Sequence, residues 1–423
     1  MVSQSENIFT KQKGAERATE VLTLEARRMR AVETVAKRLL TEIEKRFGAN
    51  SEKPLEYHNV NHTKRVVAGI EEILGIIAEV ERIEVVLPEE KIISSEIIAQ
   101  AQILGLGHDV IQESSMSEAS GLRVRQRGVE PGQNERESAE TLIKVLDEVL
   151  EEEQLGRKKE ILGLDNKTII EEINVTYPDL PKSFVEAFPA TEDIKTHSSF
   201  NWSEEEWREF SQVFFNPTDA AVGLKIFQPY LTADSSIRAF ALAQADLRQA
   251  LWQEEIINSG NAEFKELYEN YTKNIRVARQ TEDDQVKNQA LEFLRSRKAE
   301  IIDAIGKWKR TQIGFVKWQI LLFLDSLDQN NVIKKSPAAE KIKTQLRHKL
   351  LPGMLQSLSA VRGQYAKFLQ DLNLPPEPDQ WKETFNHLTN TQYLRILRDF
   401  VGYEIPNNLF TPLEASRIES SSS

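Results

Sequence analysis

Apolar residues recur along this chain at spacings of three and four, the repeat of helices that bury one face. Leu22, Met29, Val32, Val35, Ala36, Leu39, Leu40, Ile43 and Phe47 form one such stripe, and Gly48 stands where that helix should stop. A second stripe runs through Val66, Val67, Ile70, Ile73, Leu74 and Ile77, with Pro88 marking the loop beyond it. Residues 92–107 read as a third helix ending near Gly105 and Gly107. Residues 113–133, rich in Ser, Gly, Gln and Arg, read as a loop, and helical spacing resumes at Ser138, Ala139, Leu142, Ile143, Leu146 and Leu150. Ser203 followed three residues later by Glu206 predicts a capping box ahead of Trp207, Phe210, Phe214 and Phe215. Residues 226–252 predict another apolar helix, with a break near Thr232.

Past residue 256 the pattern turns to long charged helices, over 264–279 and 286–327, with breaks at 330–337 and 374–378. The best strand signal is Glu84 to Leu87 (Glu-Val-Val-Leu), and it is short. The expected fold is all-α, a helical bundle with a helical C-terminal extension. The expected division is a polar segment over 1–20, a domain over 21–255, a helical region over 256–415 and a flexible serine-rich tail over 416–423.

Composition narrows the chemistry. At 423 residues, with 40% hydrophobic and 28% charged, the chain can bury a sizeable core. A net charge of −12 argues against duplex nucleic acid as a partner, though a local metal or arginine pocket could still hold a small anion. Zero cysteines remove disulfides, thiolate zinc sites, iron–sulfur clusters and cysteine nucleophiles, so any metal must take nitrogen and oxygen ligands. No apolar run reaches membrane-spanning length and the N-terminus lacks a signal-peptide core, so a cytoplasmic location is the default expectation.

Three of the 6 histidines gather early, in Tyr57-His58-Asn59-Val60-Asn61-His62 and Gly107-His108-Asp109. His58 and His62 share a face if helix already runs there. His108 and Asp109 are adjacent, so they can serve one metal only if the helix ends or bends at them. Neutral imidazole with ionised carboxylate suits Mn, Fe, Zn or Mg.

The order Tyr-His-Asn-x-x-His, then His-Asp, then a distant Asp resembles the HD superfamily of metal-dependent phosphohydrolases. More distantly it resembles cyclic-nucleotide phosphodiesterases. A third string, Asn134-Glu135-Arg136-Glu137-Ser138-Ala139, is similar to the Asn-Glu-x-x-Ser-Ala helix start of a group of predicted HD hydrolases. The matches cover roughly residues 20 to 250. The resemblance implies an HD-type bundle holding a divalent metal (Mn, Mg, Fe, Ni, Co or Zn) on His62, His108, Asp109 and a distal Asp. Asp246 is the best match and Asp234 the rival.

It further implies that His58 protonates a leaving oxygen, that Glu135 supports a ligand or water, and that a metal-activated water hydrolyses a nucleotide or another small phosphate ester. Gly107 departs from the pattern, which usually has an apolar or aromatic residue there. The bland alternatives are a surface His58, a Glu135 that merely favours a helix start, and partly buried histidines. Arg123, Arg125 and Arg127 could reach a substrate phosphate or form a solvated basic patch. His197, His348 and His387 read as structural. Beside the hydrolase stands a second class: an HD-fold metal- or nucleotide-binding regulatory module with a helical partner surface. An oligomer through the C-terminal helices stays open.

Overall fold

A computed structural model describes residues 22–48, 50–51, 58–112, 114–116, 123–125, 132–178, 184–196, 202–226, 228–249 and 280–375, with residues 274, 277, 381 and 385. The fold is predominantly helical, with no closed sheet among the described residues. In chain order come α1 (Leu24–Phe47), α2 (Val60–Ile83), α3 (Ser95–Gly107), β1 (Ser114–Met116), β2 (Arg123–Arg125) and α4 (Gln133–Glu152). Then follow α5 (Lys158–Leu162), α6 (Asn166–Ile173), β3 (Phe184–Ala187), α7 (Thr191–Thr196), α8 (Glu204–Phe214), β4 (Val222–Lys225) and α9 (Ile237–Gln249). The last elements are α10 (Asp284–Gln329), α11 (Asn331–Lys335) and α12 (Ala339–Leu372). No described helix is long and apolar enough to cross a membrane.

The bundle is organised around α3. Its sequence, SEIIAQAQILGLG, is apolar round most of its last three turns, and Ala99 to Gly107 are buried apart from a half-buried Gln102, so that part sits inside. Helices α1, α2, α4 and α9 pack about it. Amphipathic α1 buries Val35, Leu39, Ile43 and Phe47 of the predicted stripe and adds Ala31, whereas Met29, expected in the stripe, is exposed. Thr23 caps its start and Gly48 its end. The long pair α10 and α12 packs together, and α12 also lies along α2 and meets α8. Expected boundary residue 256 lies outside the described residues.

Several expectations shift at element ends. Glu84–Leu87 is a turn, not a strand. Helix α2 closes with Val86 N donating to Glu81 O at 3.0 Å, which places Val85 in the left-handed region at φ 55°. The Glu81 carboxylate then accepts from Ile92 N and Ile93 N, so the chain at 92–93 stays irregular and α3 begins at Ser95. The apolar stretch from residue 226 becomes helical only at Ile237, because Thr232–Ser236 is held in turns. The break at 330–337 contains the short helix α11, started by the Asn330 side chain.

Two small antiparallel pairs interrupt the helices. In β1–β2, within the expected loop, Ser114 faces Arg125 and Met116 faces Arg123. In β3–β4, Phe184 pairs with Lys225 and Ala187 with Val222. Strand β4 is pressed onto α10 so closely that a side chain on Gly223 would lie 2.7 Å from Gly314 Cα.

Candidate metal centre

The site forms where three helix segments meet. Asn59 caps α2, its side chain accepting from Asn61 N at 2.9 Å and His62 N at 3.2 Å. His62 therefore stands in the first turn of α2, and His58 lies just outside the helix rather than on its face. The two rings still come within 5.5 Å, edge to face. Helix α3 stops at Gly107, and His108 and Asp109 occupy the turn that follows. That turn lets adjacent side chains converge. It also depends on Gly107, where an added Cβ would lie 2.5 Å from Leu142 Cδ2 on α4. The glycine that breaks the family-like pattern is thus required by close helix packing. Ser138 fixes the next residue: its hydroxyl accepts from Ile111 N at 2.9 Å and donates to Ile111 O at 3.2 Å.

His62, His108, Asp109 and Asp246 come together, with one donor atom from each within 4.8 Å of the others. His62 Nε2 lies 3.2 Å from Asp109 Oδ2, 3.3 Å from Asp246 Oδ1 and 3.4 Å from His108 Nε2. His108 Nε2 lies 3.2 Å from Asp109 Oδ2 and 3.8 Å from Asp246 Oδ1. Ligands about 2.1 Å from one cation are themselves about 3.0–3.4 Å apart at octahedral or tetrahedral angles. The cluster is nearly at that spacing. His108 Nδ1 donates to Gly105 O at 2.8 Å, so in the neutral ring Nε2 is the lone-pair nitrogen turned inward.

The electrostatics agree. His62 and His108 are 1% exposed and Asp109 is 7% exposed. Burial is the largest influence on the protonation of all four and opposes charge on each. Asp109 and Asp246 nevertheless raise His62, and raise His108 well above the ordinary imidazole range. In return the histidines hold Asp109 well below the carboxylate range and bring Asp246 to about 2. Two carboxylates in a buried space demand matching positive charge, which protons on the imidazoles supply, or a divalent cation once it displaces those protons. The donor set of two imidazoles and two carboxylates is therefore capable of holding a divalent metal.

The other sequence candidates fall in different places. His58 joins the cluster, its Nδ1 donating to Asp109 Oδ2 at 2.7 Å. Glu135 is buried in the first turn of α4, which starts from Gly132 in a left-handed conformation. Asp234, the rival distal carboxylate, is exposed and accepts from Asn331 Nδ2 at 2.7 Å. Arg123 and Arg125 belong to β2, while Arg127, His197 and His387 lie outside the described residues. His348 pairs with Glu206 at 2.6 Å, far along the chain from the cluster residues. Gln112 escaped sequence reasoning. It is buried, and its Nε2 donates to Asp109 Oδ1 at 2.6 Å. Its position three residues beyond Asp109 was the only signal available. No family model, curated protein or solved structure matches this chain.

Proposed function

We propose that the protein is a metal-dependent phosphohydrolase of the HD type, acting on a nucleotide or another small phosphate ester. The observation that carries this reading is the convergence of His62, His108, Asp109 and Asp246, with His58 hydrogen-bonded to Asp109 at the edge of the group. A divalent cation bound there would activate water and screen phosphoryl charge. The chain's own residues do the rest. Asp109 orients His58 through Nδ1, and the other ring nitrogen, Nε2, would deliver a proton to the leaving oxygen. Glu135, buried at the start of α4, would steady a ligand or a water near the cluster. Arg123 and Arg125 on β2, with Arg127 beyond it, would meet the substrate phosphate.

The test is a screen of nucleotides and generic phosphate esters with Mn, Mg, Fe, Ni, Co and Zn, run beside Asp109→Ala. Metal-dependent turnover that this substitution abolishes in a folded protein supports the hydrolase. Ligand binding with no turnover under any metal rejects it in favour of a regulatory binding module.

A further inference from the structure

Asp109 divides its two oxygens between different partners. Oδ2 faces the cluster, 3.2 Å from Nε2 of both His62 and His108. Oδ1 is held by Gln112 Nε2 at 2.6 Å. Reversing the amide would set Oε1 against Oδ1, two acceptors in contact, so chemistry fixes the donor as the N–H group. Gln112 is 4% exposed, and its backbone is positioned by the two hydrogen bonds that the Ser138 hydroxyl makes with the preceding Ile111. Its Oε1 is buried with no hydrogen-bond partner among the described residues. A side chain kept inside at that cost is placed for more than filling space.

An ionised carboxylate with both oxygens open can grip a cation through the two together. The amide engages Oδ1, while Oδ2, which also accepts from His58 Nδ1 at 2.7 Å, keeps a second lone pair and is the oxygen set 3.2 Å from both imidazole nitrogens. We propose that Gln112 is a positioning residue of this cluster, restricting Asp109 to binding a divalent cation through Oδ2 alone. The inference rests on the metal reading above. Its consequence is a coordination position kept for water or a substrate oxygen, which a two-oxygen grip would fill. Gln112 acts through Asp109 and touches neither substrate nor cation.

The test is titration of chelator-stripped protein with Co²⁺, read by visible absorption and calorimetry, for the wild type and Gln112→Met. The methionine keeps the length and removes the amide. The expected result is an affinity shifted by about tenfold to a hundredfold, since the lost outer hydrogen bond weakens the site and the freed Oδ1 adds a bond. The visible bands should also weaken as Asp109 coordinates through both oxygens, while circular dichroism of the metal-free variant keeps the helical signature of wild type. If the methionine variant does not fold, Gln112→Asn withdraws the amide from Oδ1 by one methylene and should give the same signature. A folded variant with wild-type affinity and spectrum overturns the role of Gln112 and leaves the metal reading intact. A wild-type protein that takes up no divalent cation overturns both.

Discussion

His58 Nδ1 lies 2.7 Å from Asp109 Oδ2, so a residue just ahead of α2 is tied to the turn that closes α3. The same oxygen faces His62 and His108, which places His58 beside the cluster without making it one of the four. His58→Asn should therefore keep bound metal and lose phosphoester turnover by about 10²- to 10⁴-fold. Metal content and rate are measured on the same preparation. An unchanged rate removes His58 from the chemistry.

Metal should be visible in stability. At a free concentration a hundred times its dissociation constant, a cation that binds only the folded state adds about 2.7 kcal/mol. Chelation should remove that increment, and Asp246→Asn should make most of it unattainable. Thermal melts with and without chelator decide the matter. A variant stabilised by metal as strongly as wild type would falsify the placement of Asp246 among the ligands.

Gly107→Ala should destabilise by about 1–3 kcal/mol, because the new methyl meets Leu142 Cδ2 at 2.5 Å and Cβ at 2.8 Å. Chemical denaturation measures it. Trimming the obstacle with Leu142→Ala should make the two changes non-additive in a double-mutant cycle. Additive losses would mean the clash is relieved elsewhere.

Arg238 clamps α9 to the bundle. It grips both oxygens of Glu172 on α6 and donates to Gln100 on α3, whose own amide reaches Leu162 O. Arg238 and Glu172 side chains are 15% and 10% exposed. Arg238→Leu leaves a buried carboxylate without its partner, a loss of about 3–5 kcal/mol. Equilibrium unfolding that shows under 1 kcal/mol, on the order of a surface pair, would reject this account.

Glu206 should give a pH signature. Burial works to raise it, but Ser203 and Arg347 lower it from 4.5 to about 2. A carboxylate lowered on folding stabilises fully above its unfolded value and loses that contribution as pH falls toward the folded one. The stability gap between wild type and Glu206→Gln should therefore shrink as pH falls from about 4.5 to 2. Denaturant midpoints across that range test it, and a gap that widens on acidification contradicts it.

What could be read from the sequence was what local rules decide. The stripe from Val35 to Phe47 buries as its spacing demands, and the capping box at Ser203 and Glu206 forms in full. The gathering of His62, His108, Asp109 and Asp246 was anticipated only through resemblance, since periodicity cannot bring α9 to α3. Features set by distant partners were missed. Glu-Val-Val-Leu has β-branched residues, yet Glu81 and the helix end turn it away from a strand. The strands β3 and β4 are four residues each, too short to show a pattern. Their seat depends on Gly223 meeting Gly314, a contact no local window contains. Gln112 has meaning only once Asp109 has been oriented by its histidines.

The four donor atoms arrive on three separate segments: the first turn of α2, the turn after α3, and α9. No contiguous fragment of the early chain carries all of them, so a truncated product ending before α9 would have an open, three-sided pocket. Any ion capture would then wait on the docking of α9 against α2 and α3, and would report that this contact has formed.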